Sequence, residues 1–189
     1  RRGIPYLDWG IFDLSYLINQ DGGPYCHIKS AFWEADKATS LGSFEGWAFV
    51  TSTNYTMIRF ADVLLWAAEC EVEIGSLPKA EEYVNIVRAR AANPAGFVKT
   101  YVDNNNPQGG FTNTPAANYF VGLYNGEFAA NGKEFARESV RFERKLEFGM
   151  EGHRIFDLQR YDLQQPGYMG NLLDKYNADE NRFYMDLTG

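Results

Sequence analysis

The chain has 189 residues, 45% of them hydrophobic and 23% charged, which is enough for one domain with a hydrophobic core. Its 25 acidic and 18 basic residues give a net charge of −7. This balance argues against nucleic acid or an anionic membrane surface as the direct partner, because both recruit basic surfaces. No apolar stretch of the sequence has membrane-spanning length. The sequence begins Arg1-Arg2-Gly3 without an initiator Met, so we expect part of a longer or processed protein.

Residues 1–54 show no regular hydrophobic period and are predicted to be mainly irregular. The stretch from Leu41 to Gly46 predicts a turn, and residues 25–33 predict a short extended piece. Two cysteines do not make a disulfide framework, and a bridge between Cys26 and Cys70 stays open at this stage. Cys70 is interpreted as a small buried residue, because it falls within the apolar helix that follows.

Residues 55–92 predict a helical hairpin around which the rest of the fold is expected to be organised. Apolar residues at spacings of three and four share one face of the first helix: Ile58, Ala61, Leu65, Ala68 and Val72. Further apolar residues widen this face, so we expect the first helix to be mostly buried: Met57, Phe60, Leu64 and Ala67.

A turn at Gly75, where a helix C-cap favours positive φ, separates the two helices. In the second helix Ala80 and Val84 face inward, and the polar residues take the other side: Lys79, Glu81, Glu82, Asn85 and Arg88. This is the arrangement of a tetratricopeptide-type helix pair, of which a solenoid needs about three. Because the sequence has one pair, either neighbouring pairs are missing from it or the rest of the chain covers the hairpin.

Residues 93–132 are rich in Asn, Gly and Pro and predict a long irregular loop. Disordered linkers lack aromatic anchors. This loop has many rings: Phe97, Tyr101, Phe111, Tyr119, Phe120, Tyr124 and Phe128. We therefore expect the rings to pin the loop onto the hairpin.

Residues 133–161 predict further helices, with a bend or break at Gly149 and Gly152. An apolar stripe follows the first of these helices: Phe135, Phe142, Leu146 and Met150. Like charges recur four residues apart and need partners from elsewhere in the fold: Arg137 with Arg141, and Glu143 with Glu147. Residues 162–189 are predicted to form a tail with one or two helical turns.

The sequence shows no catalytic machinery. Four potential metal ligands lack the His-x-x-x-His and Glu-x-x-His spacings of helical metal sites, which favours an ion-paired network instead: Glu143, Glu147, Glu151 and His153. A carboxylate pair for glycoside hydrolysis stays open, because acids are numerous, but nothing marks one. Nucleophile and phosphate-loop motifs are missing. We therefore predict no catalytic residue, no metal and no cofactor.

Carbohydrate binding needs no such machinery, because aromatic rings stack on sugar faces and polar side chains bind hydroxyls. Phe, Trp and Tyr make up 16% of the chain. Tyr25, Trp33 and Trp47 lie in or beside turn-like segments flanked by Asn, Asp and Ser, and are the candidate ligand-binding residues. The alternative role for each of them is core packing.

Two stretches resemble the RagB/SusD family of outer-membrane nutrient-binding lipoproteins. The first is Ile58-Arg59-Phe60-Ala61-Asp62-Val63-Leu64-Leu65 with Ala67-Ala68-Glu69, continued from Ala80 to Ala91. The second is Phe142-Glu143-Arg144-Lys145-Leu146-Glu147-Phe148, followed by Glu151-Gly152-His153-Arg154 and Asp157-Leu158-Gln159-Arg160. The resemblance covers most of residues 1–165 and corresponds to the C-terminal part of a family member.

The resemblance implies a mainly α fold, in which a tetratricopeptide-like hairpin packs with further helices and long irregular loops. Residues 1–189 would form a single domain of a longer protein. It also implies a non-enzymatic protein that binds glycans, or peptides in some branches, and delivers them to a SusC-like TonB-dependent transporter. Such proteins face outward on the outer membrane, lipid-anchored through an N-terminus that this sequence lacks.

The resemblance further implies that several charged residues are structural ties rather than ligands: Asp62, Glu143, Arg144, Glu147, Arg154 and Asp157. Two other functions stay open. One is a helical carbohydrate-active enzyme fragment, and the other is a peptide-binding tetratricopeptide scaffold.

Overall fold

The computed structural model describes the backbone of residues 5–6, 32–33, 41–44, 47–51, 56–104 and 109–188, and side chains within 56–104 and 109–179. The chain divides into two compact units, Arg1–Glu143 and Arg144–Gly189. The described part is mainly helical, as predicted. Its α-helices are α1 (Phe60–Ile74), α2 (Leu77–Ala92), α3 (Glu127–Glu147), α4 (Arg154–Gln164) and α5 (Tyr168–Thr188).

Short antiparallel strands lie in the stretch that was expected to be irregular. β1 (Pro5–Tyr6) pairs with β2 (Phe32–Trp33), and β3 (Leu41–Phe44) pairs with β4 (Trp47–Thr51). The prediction of a turn from Leu41 to Gly46 is therefore wrong for its first four residues. Aromatic and β-branched residues in β4 favour an extended partner, and two residues between the strands suffice for a hairpin.

The predicted helical hairpin is confirmed as α1 and α2. Leu65, Ala68 and Val72 of α1 are buried, as are Ala80 and Val84 of α2. Ala68 and Ala80 have no exposed surface, and their small side chains let the two helix backbones approach closely. The apolar spacing of three and four residues thus identified the packed faces of both helices, except at Ile58, which is 60% exposed.

The prediction that α1 is mostly buried is wrong for the described structure. Phe60 is 72% exposed and Ile74 is 91% exposed, and Val63 lies between them on the same face. Cys70, also on this face, is an exposed free thiol rather than a buried residue. The sequence could not show this, because α1 is apolar on two sides and α2 covers one of them.

Gly75 separates α1 from α2, but not in the predicted way. Its φ is −123°, so the positive φ expected of a helix C-cap is absent at this residue. A Cβ atom at this position would instead lie 2.1 Å from the Glu71 carboxylate. That carboxylate accepts a hydrogen bond from the N–H of Ser76 at 2.8 Å. A residue with a Cβ atom at this position would therefore have to displace the Glu71 carboxylate.

The long loop predicted for residues 93–132 is more regular than expected. After α2 it forms a 3₁₀ turn, Pro94–Gly96, and then an antiparallel hairpin of β5 (Lys99–Tyr101) and β6 (Phe111–Pro115). α3 begins at Glu127, before the expected Lys133, with a kink at Gly132, whose φ is 83°. Asparagine and glycine content concealed the hairpin, because these residues also disfavour strands on average.

The predicted break between the later helices is confirmed. Met150 and Gly152 have φ of 65° and 81°, and α3 ends before them. The prediction that residues 162–189 form a tail with one or two helical turns is wrong, because α5 occupies most of this segment. The Asp162 carboxylate accepts a hydrogen bond from the N–H of Met169 in the first turn of α5, which satisfies a helix-terminal donor.

The apolar stripe predicted along α3 is not a buried face. Each of its members is exposed by more than a third: Phe135, Phe142, Leu146 and Met150. Ala136 and Val140 are buried instead, together with charged residues that have ionic partners. Helical periodicity therefore located an apolar face of α3 but not the face that packs.

Candidate functional site

The polar side of α2 binds the backbone of the segment that leads into α3. Glu81 is 8% exposed, and its carboxylate accepts hydrogen bonds from Gly126 N–H at 2.7 Å and Phe128 N–H at 2.9 Å. The first N–H groups of a helix have no partner within it. Glu81 therefore caps α3 from another helix, and the burial of its carboxylate is matched by two hydrogen bonds.

Asn85 lies one turn further along the same side of α2. Its Nδ2 donates to the Tyr124 carbonyl and its Oδ1 accepts from the Tyr124 N–H, both at 2.9 Å. The side-chain amide thus satisfies both backbone groups of one residue, as a neighbouring strand would. Arg88 adds a hydrogen bond from Nε to the carbonyl of Gly122 and an ion pair to Glu143. We call Glu81, Asn85 and Arg88 the α2 clamp.

Aromatic rings complete the attachment of this segment. Phe128 has no exposed surface, and its ring centroid lies 4.9 Å from that of Tyr124 and 6.1 Å from that of Phe135. The guanidinium of Arg88 stands 4.7 Å from the centre of the Tyr124 ring, within cation–π range. Tyr124 and Phe128 therefore pin the segment as predicted.

A second ionic cluster joins α1 to α3. Arg137 donates from Nε to Glu73 at 2.7 Å, and Lys133 pairs with the same carboxylate at 2.9 Å. The hydrogen bond from Arg137, supported by Lys133, lowers the pKa of Glu73 from 4.5 to about 2 despite partial burial. Arg137 and Glu143 thus find partners on α1 and α2, as predicted, whereas Arg141 pairs with Glu138 on its own helix.

The rings of the β5–β6 hairpin have different surroundings. Phe97 and Tyr119 stack with centroids 4.3 Å apart and planes at 15°, and Tyr101 and Phe111 stack at 5.1 Å and 25°. In each pair one ring comes from before the hairpin turn and the other from after it. Phe120 is 93% exposed, so this ring does not help to pin the loop as expected.

Each ring pair of the hairpin has an inner and an outer member. Tyr101 is partly buried, and burial raises the pKa of its hydroxyl. Its partner Phe111 is 39% exposed, and Tyr119, the partner of the half-buried Phe97, is 36% exposed. Phe111 and Tyr119 are therefore the more exposed rings of the two pairs. We call Phe97, Tyr101, Phe111 and Tyr119 the hairpin rings.

Residues 144–189 contain a third ionic cluster. Arg144 is 2% exposed and donates from Nε to both oxygens of Asp157 at 3.1 and 3.0 Å, while Arg160 binds the same carboxylate at 3.1 Å. Burial would raise the pKa of Tyr176, but hydrogen bonds from Lys145 and Arg154 outweigh it and lower that pKa. The geometry matches the role of structural ties that the resemblance implied for Arg144 and Asp157.

The structure does not describe the side chains of the three aromatic residues that are predicted to bind ligand. Trp33 is in β2, paired with Pro5, and Trp47 is the first residue of β4, paired with Phe44. Tyr25 lies outside the described residues. Their role in ligand binding stays a prediction. The sequence predicts the hairpin rings only as anchors of the loop. Their exposure, which a sequence does not show, distinguishes them from the buried Phe128.

Several acidic side chains in the described part of the chain bind cations or backbone N–H groups. Within residues 56–104 and 109–179, no three His, Cys, Asp or Glu side chains come together in a way that could hold a metal ion. In the same residues, no helix is both long and apolar enough to cross a membrane. Glu73, Glu81, Glu143 and Asp157 each accept bonds from cations or from backbone N–H groups.

These features define a mainly helical protein in which a tetratricopeptide-like hairpin holds a ring-bearing loop and a capped helix. The comparisons with known proteins are consistent with that class. The model of the SusD family matches residues 37–188. The chain therefore belongs to the SusD family.

Two curated relatives come from the same bacterium, Formosa agariphila. SusD-like protein P25 is 31% identical over 189 residues, which is all of this chain and 26% of the relative. SusD-like protein P2 is 32% identical over 138 residues, which is 71% of this chain and 22% of the relative. The chain thus spans about a quarter of the length of these relatives. No solved structure matches it at a comparable level of significance.

Proposed function

We propose that this chain is part of a non-catalytic protein that binds glycans or oligosaccharides at the outer-membrane surface and delivers them to a SusC-like TonB-dependent transporter. The single observation that carries the proposal is the match of residues 37–188 to the SusD family. The whole protein would be lipid-anchored and would face outward. It would need no cofactor, because its task is capture rather than reaction.

Three of the acidic residues have contacts that suit structural ties rather than catalysis. A glycosidase needs two carboxyl groups facing each other across a cleft, one of them with a raised pKa. Glu73 has a lowered pKa instead, and Asp157 and Glu143 lie in ion pairs. Groups held in this way brace helices against each other.

Isothermal titration calorimetry of the full-length protein with a set of plant, algal and animal glycans tests the proposal. We expect binding without cleavage, and we expect Trp47→Ala to weaken it while the melting temperature stays within 2 °C. Trp66→Ala is the matched control, because Trp66 lies on α1 and is no ligand candidate. Ligand turnover abolished by one carboxylate substitution would establish an enzyme instead.

The transporter partner requires a separate experiment. Affinity purification of the full-length protein from detergent-solubilised outer membranes should retrieve a TonB-dependent transporter in about equal amounts. Recovery of a soluble peptide-bearing partner alone, with no glycan bound in the titration, would favour a peptide-binding tetratricopeptide scaffold.

A further inference from the structure

We propose that Lys145, Arg154 and the hydroxyl group of Tyr176 form a binding site for an anionic group of a glycan, either a carboxylate or a sulfate ester. The inference rests on the proposed glycan binding and narrows it to acidic glycans. All three residues lie within one compact unit of the chain, Arg144–Gly189. Three helices contribute one residue each: Lys145 lies in the last turn of α3, Arg154 begins α4, and Tyr176 lies in α5.

The two cations meet at one oxygen atom. Lys145 and Arg154 both form hydrogen bonds with the hydroxyl group of Tyr176. The ammonium of Lys145 also stands 4.8 Å from the centre of the Tyr176 ring, within cation–π range. These contacts bring two long cationic side chains to the same place, although like charges repel each other. An anion bound there would accept charge-assisted hydrogen bonds from both cations.

The acidic residue in the first turn of α4 is bound to other cations. Asp157 accepts hydrogen bonds from Arg144 and Arg160. In the described part of the chain, neither Lys145 nor Arg154 has an ion pair with a carboxylate. The Nη1 atom of Arg154 is buried and has no hydrogen-bond partner among the described residues. Buried donors are nearly always paired in folded proteins, so an unpaired one indicates a site for a ligand, an ion or water.

The surroundings of Tyr176 favour negative charge on an oxygen atom. Burial would raise the pKa of its hydroxyl, but the hydrogen bonds with Lys145 and Arg154 lower that pKa. A lowered pKa means that the protein stabilises the charged form of the group. The oxygens of a carboxylate or a sulfate ester are already charged at neutral pH. They would therefore gain this stabilisation without releasing a proton.

The helix ends explain the place of one cation but not of the other. Lys145 lies at the C-terminal end of α3, where the helix dipole stabilises a cation. Arg154 is the first residue of the 11-residue α4, where the dipole disfavours a cation and favours an anion. The guanidinium and the helix end therefore act on a bound anion in the same direction.

The charge of the whole chain makes a local cationic site necessary for an acidic ligand. The net charge of −7 repels a polyanion, so its recognition depends on groups that attract it at close range. Carboxylate and sulfate groups have several acceptor oxygens. A guanidinium, an ammonium and a phenol hydroxyl can donate to these oxygens at the same time.

The test is isothermal titration calorimetry of the full-length protein with three series of galactose-based oligosaccharides of equal length. One series is neutral, one consists of oligogalacturonates with carboxylates, and one contains sulfate esters. We expect the wild type to bind at least one charged series about tenfold more tightly than the neutral one. Lys145→Gln and Arg154→Gln should each raise the Kd of that series about tenfold and leave the Kd of the neutral series within about twofold.

Lys175→Gln is the matched control, because it removes the same charge from an exposed residue next to Tyr176 on α5. It should leave every Kd within about twofold. Arg154→Lys keeps the charge and should recover part of the affinity that Arg154→Gln loses. If the cluster only braced the helices, Arg154→Gln would lower the melting temperature and leave the ratio of charged to neutral affinity unchanged, which contradicts the inference.

Sodium sulfate and sodium galacturonate serve as competitors that distinguish a glycan from a small anion. Either salt binding as tightly as the charged oligosaccharide would overturn the assignment to a glycan. If the wild type binds glycans but prefers neither charged series to the neutral one, this inference fails and the proposed function stands. If the wild type binds no glycan of any kind, the proposed function fails too.

Discussion

Two groups of aromatic rings follow α2 in one stretch of chain, and they have opposite surroundings. Tyr124 and Phe128 lie beside backbone that Asn85 and Glu81 bond directly, and Phe128 is fully buried. The hairpin rings stack in pairs with one another, and Phe111 and Tyr119 are each more than a third exposed. The ring type is the same in both groups. The difference teaches that polar residues of α2 decide which rings become core, because they fix the backbone that presents those rings.

Replacing one buried and one exposed ring is the strongest test of the difference between the two groups. Phe128→Ala removes a fully buried ring and should lower the free energy of unfolding by about 3–5 kcal/mol through lost burial and a cavity. Phe120→Ala, at a ring that is 93% exposed, should change it by less than about 0.5 kcal/mol. Urea denaturation followed by circular dichroism measures both. Similar losses for the two variants would mean that exposure does not distinguish these rings.

The α2 clamp can be tested at Glu81, which should have the second largest effect. Glu81→Gln keeps the shape but turns one acceptor into a donor that faces a backbone N–H. We expect a loss of about 2–3 kcal/mol in the free energy of unfolding, as for hydrogen bonds to charged groups. Glu82→Gln is the matched control, because its carboxylate is exposed and pairs with the exposed Lys79. Equal effects at both positions would contradict capping by Glu81.

The smallest expected effect concerns the link between α1 and α3, and it depends on pH. The pKa of Glu73 is about 2 in the folded protein and 4.5 without its partners, so the unfolded state binds the proton more readily. The stabilisation by Glu73 is complete above pH 4.5 and is lost as pH falls towards 2.

Glu73→Gln should therefore cost about 1–2 kcal/mol near pH 6, after allowance for solvent screening, and nearly nothing at pH 2. The measurement is the difference in unfolding free energy between wild type and variant at several pH values. Glu134→Gln serves as control, since Glu134 is 67% exposed beside the same Arg137. A difference that stays constant with pH would rule out the ionic link.

The sequence predicted that charged residues of α3 need ionic partners, but it did not predict which residues these partners are. Like charges four apart on α3 indicated that Arg137 and Glu143 pair elsewhere, and they do so with Glu73 and Arg88. The identity of these ionic partners could not be predicted from the sequence, because Glu73 lies 64 positions before Arg137. The exposure of the hairpin rings was less predictable still, because these rings differ from Phe128 in exposure and not in sequence pattern.

The sequence by itself determined the helical hairpin, the break after α3 and the family, because each depends on neighbours within a few turns or on a linear signature. Tertiary structure alone decided which apolar face of α1 and α3 is covered, and that Glu81 caps a helix 47 positions away. Burial and pairing at such separations depend on how elements meet in space. Local spacing determines which faces can pack, and only the assembled chain determines which of them do.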